Sequence, residues 1–156
     1  RAFTPADYPL KFFGKGDTDR YLSTFATFRA VVIFPHDVAL MSFYEFYAMA
    51  VPIFLPSDLS KYLFPYSASV PLLDWVPKWL RDDPEHEVVT DEDGNVLSPM
   101  SLITRAGLEH WSKYMDFFRF PAVQKFASIA ALLEMLPDAD VHEISVRMRD
   151  NRMERQ

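Results

Sequence analysis

Residues 29–57 contain two continuous apolar runs with a helical pattern of apolar residues between them. β-Branched apolar residues dominate residues 30–34, and a polar break at 35–37 follows them. Residues 42–50 then carry apolar side chains at helical spacing, and a second apolar run, 51–55, ends at Pro56. This order predicts strand, loop, helix and strand, with room for one crossover helix between parallel strands. The loop after the first strand and the N-terminus of the helix then lie at the carboxyl edge of the sheet, where ligands of α/β proteins bind.

The segment before this unit predicts one more strand and one more helix. Residues 8–13 form a short β-prone run that leads into a Gly-Lys-Gly turn at 14–16. Asp17 or Thr18 is a suitable N-cap for a helix over residues 19–28, whose apolar side chains recur at helical spacing. A phosphate-binding loop also begins with strand, Gly-x-Gly and helix, but the longer dinucleotide fingerprint and the complete P-loop are both absent. The pattern therefore favours a plain strand-to-helix turn.

Residues 58–100 are predicted as an insertion. Proline and aromatic residues are dense over 58–81, which favours an elaborated loop or short helices lying over the sheet edge. Residues 82–98 are typical of a β-hairpin with an Asp-Gly turn. The acidic triplet in that turn lacks the glycine and the glutamate that a calcium loop needs at its sixth and twelfth positions, so we interpret it as a solvated turn.

The rest of the chain is predicted to be mainly helical, and Phe120-Pro121 breaks the first of its helices. The predicted elements are a helix over 102–118, a short strand over 123–128, a helix over 129–136 and an amphipathic closing helix over 141–152. Together with the strand–helix–strand unit, this order predicts an α/β fold with a parallel sheet flanked by helices.

Composition narrows the class of protein. The chain has 156 residues, of which 49% are hydrophobic, so it can bury one substantial core and we expect a single domain. A net charge of -6 argues against nucleic acid as the main partner. No apolar run reaches the length of a membrane span. The chain begins at Arg1 with neither a methionine nor a signal-peptide pattern, which predicts a fragment of a longer protein. A cytoplasmic and a Golgi- or ER-associated location both stay open.

Several chemistries are excluded by residue type and spacing. The absence of cysteine removes disulfides, thiol catalysis and cysteine-rich metal sites. The four histidines have no spacing that places two on one helix face, so local sequence does not support a zinc site. No Gly-x-Ser-x-Gly elbow supplies a hydrolase nucleophile. Candidate chemistry is left only in the strand–helix–strand unit.

Glu45 is the central candidate, and two roles for it stay open. Ser42 and Glu45 fit a capping box, with Ser42 as N-cap and Glu45 at the third helical position. A carboxylate in the first turn at the carboxyl edge of a sheet can instead accept two hydrogen bonds from the vicinal hydroxyls of a ribose. The helix amides beside it would then face a diphosphate.

The spacing of Asp37, Glu45 and Pro52 resembles the signature of retaining glycosyltransferases with two Rossmann domains, the GT-B fold. In that family an acidic residue, seven others and a Glu are followed seven residues later by Pro. Residues 45–53 superpose without a gap on the family's Glu-Ala-Met-Ala-x-Gly-x-Pro-Val. The resemblance implies a Rossmann-like donor-binding domain, a nucleotide-sugar as co-substrate without a metal or other cofactor, and a missing N-terminal acceptor domain.

Carried over by position, the resemblance implies that Glu45 would bind the ribose and that Asp37 would lie near the donor sugar. The loop 38–42 and the helix amides at 42–44, which include those of Ser42 and Phe43, would face the diphosphate. Apart from the resemblance, the position of His36 at the end of the strand suits a donor to the departing diphosphate, and a surface histidine is the alternative. We expect a glycosyltransferase domain that is inactive as this fragment alone. A non-catalytic interaction or scaffold domain and a nucleotide-sugar epimerase of the same fold are the alternatives.

The sequence departs from the family pattern at four positions. Asp37 stands where the family usually has Glu, and its side chain is shorter. Val38 and Leu40 replace glycines that bring the family's backbone close to phosphate. Ala50 takes the place of the glycine that ends the helix, where a left-handed residue is favoured.

Overall fold

A computed structural model describes most of the chain outside the predicted insertion. The described residues are 8–14, 16–19, 21–36, 40–59, 62, 90, 92–94 and 105–154. The loop predicted over 58–81 and the hairpin predicted over 82–98 therefore lie almost entirely outside them. The chain divides into two compact units, of which the first comprises Arg1–Ile33, Ser42–Pro56 and Ala122–Gln156, and the second Phe34–Met41 and Ser57–Pro121.

A three-stranded parallel sheet forms the centre of the first unit. Its strands are β1 (Val31–Val32), β2 (Ile53–Pro56) and β3 (Gln124–Phe126), in the order β1-β2-β3. Both pairings are parallel. All four residues of β2 are buried, as expected for a parallel strand covered on both faces. The three strands predicted over 30–34, 51–55 and 123–128 are confirmed, and the chain is a mixed helix and strand protein with a small parallel sheet.

Six helices occur in the described part of the chain. They are α1 (Leu22–Phe25), α2 (Met41–Ala48), α3 (Arg105–Ser112), α4 (Asp116–Arg119), α5 (Ile129–Asp138) and α6 (Val141–Glu154). Side chains cap the last two: the Ser128 hydroxyl accepts a hydrogen bond from the Ala131 amide at 3.1 Å, and the Asp140 carboxylate accepts one from the Glu143 amide at 2.9 Å. Helix α2 lies between β1 and β2 in sequence, so the predicted strand–helix–strand unit is confirmed.

Helix α2 ends in a Schellman motif centred on an alanine. The Val51 amide donates to the Phe46 carbonyl at 3.1 Å, and the Ala50 amide donates to the Tyr47 carbonyl at 3.0 Å. Ala50 has a φ of 56°, the left-handed conformation that glycine normally supplies at this position. The helix therefore ends in a conformation that glycine usually supplies, although the residue is alanine.

Helix α6 donates three hydrogen bonds to the end of α2. The Ser145 hydroxyl donates to the Ala50 carbonyl at 2.8 Å, and Arg152 donates through Nη1 to the Ala48 carbonyl at 2.7 Å. The Asn151 amide nitrogen donates to the Tyr47 hydroxyl at 3.0 Å. Because the last carbonyls of a helix have no partner within it, these donors stabilise the C-terminus of α2.

We expect Ala50→Val to lower the free energy of unfolding by about 2–3 kcal/mol, because a β-branched residue is strained at positive φ. The matched control is Ala48→Val, two residues earlier on the exposed side of α2. There the cost is limited to helix propensity, about 0.7 kcal/mol or less. Chemical denaturation of both variants measures the difference. Equal losses would show that residue 50 does not adopt the left-handed conformation in solution.

The strand predicted over residues 8–13 is wrong. This segment is irregular, and its side chains dock it instead of a ladder of backbone hydrogen bonds. The Tyr8 hydroxyl donates to the Leu133 carbonyl at 2.7 Å, and burial raises the pKa of this phenol. The Phe13 ring stacks on the Phe28 ring with centroids 5.4 Å apart. Pro9, which has no amide hydrogen, also disfavours strand pairing here.

The helix predicted over residues 19–28 shortens to the single turn of α1, and the predicted cap is also wrong. The Asp17 carboxylate accepts a hydrogen bond from the Gly14 amide at 2.8 Å, so it closes the preceding turn and does not cap a helix. After α1 the chain continues in turns, in which the Phe28 amide donates to the Phe25 carbonyl. The Thr27 hydroxyl donates to the Thr24 carbonyl and competes with helix continuation.

In the second unit, the single helix predicted over 102–118 is two helices, α3 and α4. The Met115 amide donates to the Ser112 carbonyl in the turn between them, and Met115 has extended backbone angles. The predicted break at Phe120-Pro121 is confirmed, since α4 ends at Arg119. Residues 92–94 form a turn in which Gly94 has a φ of 83°, as a turn glycine requires.

Candidate functional site

The start of α2 differs from the predicted capping box. The helix begins at Met41, so Ser42 lies inside its first turn, where an N-cap residue with extended backbone cannot be. Within the described residues, neither the Ser42 hydroxyl nor the Glu45 carboxylate has a hydrogen-bond partner. The capping-box prediction is therefore wrong. Glu45 is exposed, and its carboxylate is not used by the fold.

Ser42 and Glu45 line a common pocket with the Gly14 turn and α1, which we call the Glu45 pocket. Its volume is about 270 Å³. That is near the lower end of ligand pockets, about 300–1,000 Å³, so it suits one sugar ring better than a whole nucleotide-sugar. The lining residues are Phe13, Gly14, Thr18, Asp19, Leu22, Phe25, Ser42, Glu45 and Phe46.

The apolar wall of the Glu45 pocket is made of rings that pack on one another. Phe25 meets Phe46 edge to face with centroids 5.1 Å apart, and it also meets Phe28 at 5.7 Å. Phe13 has Phe28 on its ring and the Lys11 ammonium 4.9 Å from its centroid. These contacts fix the wall of the pocket. Recognition of a ligand therefore depends on the polar groups of the pocket.

The polar groups of the Glu45 pocket favour a ligand rich in hydroxyls. Glu45 and Asp19 present carboxylates, which accept hydrogen bonds, and Ser42 and Thr18 present hydroxyls, which donate and accept. One Asp19 oxygen already accepts from the Tyr21 amide at 3.1 Å. Glu45 is therefore the carboxylate best placed to accept both hydrogens of a vicinal diol.

The Glu45 pocket has no cation among its described lining residues. Lys15, which the sequence places between Gly14 and Gly16, lies outside the part of the chain that the structure describes. The Gly14 turn is closed by its own hydrogen bonds, since the Asp17 amide also donates to the Gly14 carbonyl at 3.0 Å. This turn contributes shape to the pocket.

The other predicted site residues have different positions. Phe43 is 0% exposed, so only its backbone is available for the predicted contact with a diphosphate. His36 is exposed and belongs to the second unit. Asp37 lies outside the described residues. The predicted roles of His36, Asp37 and Phe43 stay predictions.

The sequence indicated only part of this pocket. Ser42 and Glu45 were candidates from their position on α2. Thr18, Asp19 and Phe25 were not, because nothing local shows that α1 packs beside α2. The Gly-x-Gly turn was the one signal on that side.

The described residues contain no group of three or more His, Cys, Asp or Glu side chains that could hold a metal ion. No helix among them is both long enough and apolar enough to cross a membrane. Comparison of the chain with models of protein families, with curated proteins and with solved structures found no match.

Proposed function

We propose that this chain carries the donor-binding domain of a glycosyltransferase of the GT-B type, with a Rossmann-like fold, and that the Glu45 pocket binds the ribose of a nucleotide-sugar. The observation that carries the proposal is the unused carboxylate of Glu45 in a pocket of about 270 Å³. A carboxylate that the fold does not need, placed beside two hydroxyls, is suited to a diol. The whole protein would transfer the sugar to an acceptor held by a further domain.

The backbone around Glu45 supports the resemblance on which the proposal rests. Parallel strands β1 and β2 flank α2, as strands flank the donor-binding helix in the family. Ala50 keeps the left-handed conformation of the family glycine, with a φ of 56°. Pro52 follows at the expected distance and is buried. The loss of that glycine therefore does not change the path of the chain after Glu45.

Catalysis in such an enzyme would depend on positioning and on stabilising the departing diphosphate. Glu45 would hold the ribose, and the N-terminus of α2 near Ser42 would face the diphosphate with its partial positive charge. The proposed role of Asp37 beside the sugar rests on the resemblance alone, and that of His36 beside the diphosphate rests on its position after the first strand.

A non-catalytic interaction domain with the same fold is the second candidate. The observation in its favour is the charge of the Glu45 pocket, whose described lining has two carboxylates and no cation. A diphosphate is usually held by arginine, lysine or a metal ion as well as by backbone amides. A domain that has lost donor binding would not need such cations.

Titration with uridine, guanosine and adenosine diphosphates separates the two candidates. We expect one of these ligands to bind saturably in calorimetry. Amide NMR shifts should then concentrate at the Gly14 turn and at residues 42–46. The corresponding nucleoside should bind more weakly, because it lacks the diphosphate. No binding by any of the three would overturn the donor-binding proposal and favour the interaction domain.

A further inference from the structure

A second pocket, which we call the Arg149 pocket, lies at the other end of α2. It has a volume of about 300 Å³ and lies between residues 26–29, the chain that leaves α2 and residues 141–149 of α6. Its basic lining residues are Arg29, His142 and Arg149, and none of its described lining residues is Asp or Glu. In a chain of net charge -6, a described lining with three basic and no acidic residues is a local reversal of charge.

The two arginines differ in their hydrogen bonding. Arg29 donates through Nη2 to the carbonyls of Pro137 at 3.2 Å and Ala139 at 3.0 Å, which fixes its guanidinium. A guanidinium has five N–H donors, so Arg29 retains others for a ligand. Arg149 is exposed and makes no hydrogen bond or ion pair within the described residues. One cation is therefore held in place, and the other is available.

Helix α6 contributes different residues to two pockets. His142, Ser145 and Arg149 recur at helical spacing and line the Arg149 pocket. Glu143 and Arg147 line a different pocket of about 540 Å³, together with Glu134, Asp138 and Asp140. Glu143, the neighbour of His142 in sequence, therefore lines a different pocket.

The carbonyls at the end of α2 would by themselves repel an anion. Two of them already accept hydrogen bonds: Arg152 donates to the Ala48 carbonyl and Ser145 donates to the Ala50 carbonyl. This reduces their negative potential at the pocket. The Ser145 hydroxyl, whose hydrogen is used in that bond, lines the pocket as well.

We propose that the Arg149 pocket binds a phosphate group, with Arg149 and Arg29 as its two main donors. Planar guanidinium groups match the geometry of phosphate oxygens and bind them through paired hydrogen bonds. The site is distinct from the Glu45 pocket, because α2 has eight residues and is therefore about 12 Å long. The phosphate is either free phosphate or part of a phosphorylated small molecule.

Titration with inorganic phosphate and with glucose 1-phosphate tests this site. We expect saturable binding of both, and Arg149→Ala should weaken it about 10-fold or more, the range for hydrogen bonds to a charged group. The matched control is Arg147→Ala, which removes an exposed arginine two residues away on the same helix. It should change the affinity less than about 2-fold, since Arg147 lines the acidic pocket.

Each outcome decides the proposal. No saturable binding, or equal weakening by Arg149→Ala and Arg147→Ala, would overturn it. Tighter binding of glucose 1-phosphate would indicate a phosphorylated small molecule, and equal affinity would indicate free phosphate. Arg149→Lys keeps the charge and should retain part of the affinity. Glu45→Gln should leave phosphate binding unchanged, so failure of the donor-binding proposal is distinguishable from failure of this one.

Discussion

Phe43→Ala is expected to lower the free energy of unfolding by about 3–5 kcal/mol, the usual cost of removing a buried phenylalanine ring. Phe43 is 0% exposed and is among the largest fully buried side chains. Its ring contacts Tyr44 and Tyr47 on the same helix, with centroids 5.4 and 6.1 Å apart. The loss is the sum of two terms: the hydrophobic free energy of burying the ring, and the cost of the cavity that the ring leaves behind.

Met41→Ala is the matched control, because Met41 begins the same helix and is 72% exposed. In this control variant the free energy of unfolding should change by about 0.5 kcal/mol or less. Urea denaturation monitored by circular dichroism measures both. Similar small effects would mean that α2 does not pack through Phe43 in solution. In that case the placement of Glu45 beside the pocket would also be in doubt.

Glu45→Gln is expected to weaken binding of a nucleoside diphosphate about 5- to 150-fold, which corresponds to about 1–3 kcal/mol for hydrogen bonds to a charged group. Glutamine keeps the size of the side chain but removes the charge that strengthens both bonds to the diol. Because the Glu45 side chain makes no hydrogen bond in the described fold, the free energy of unfolding should change by about 0.5 kcal/mol or less.

Glu134→Gln provides the control for Glu45→Gln, since Glu134 is an exposed glutamate on α5 that lines a different pocket. It should leave the affinity for the nucleoside diphosphate unchanged. If Glu45→Gln instead lowered the thermal stability with unchanged affinity, Glu45 would have a structural role only. The ribose-binding proposal would then be wrong.

The central part of the fold could be predicted because its elements have strong and simple patterns. Runs of buried apolar residues indicated β1 and β2, and the helical period between them indicated α2. Four residues in β2 are buried, which explains why the sequence there is apolar without alternation. The strand β3 and the helices α5 and α6 followed from the same rules.

The failures have three different physical causes: a competing local hydrogen bond, a hydrogen bond supplied by the tertiary structure, and a helix that begins one residue earlier than expected. Asp17 closes the Gly14 turn and does not cap a helix. Tyr8 donates to a carbonyl of α5, and the predicted strand around it does not form. Ser42 had the right residue type for an N-cap, but the helix starts one residue before it. Local sequence contains no information about the Leu133 carbonyl, which lies 125 residues from Tyr8 along the chain.

Only one side of the candidate site could be predicted from the sequence. Glu45 could be found from its position on a helix that follows a strand, and from the spacing to Asp37 and Pro52. The opposite side of the pocket could not, because Thr18 and Asp19 reach Glu45 only through packing of α1 beside α2. The Arg149 pocket was also not predicted. Arg29 lies far from α6 in sequence, and no local pattern indicates that the two line one pocket.

The most direct test of the Glu45 proposal compares a nucleoside diphosphate that binds the chain with its 2′-deoxy form. Removing the 2′-hydroxyl takes away one of the two hydrogen bonds that Glu45 would accept, and it leaves the base and the diphosphate unchanged. Calorimetry should show about 10-fold weaker binding of the deoxy ligand to the native chain. In Glu45→Gln the two ligands should differ much less. Equal affinity of the native chain for both ligands would contradict recognition of the ribose by Glu45.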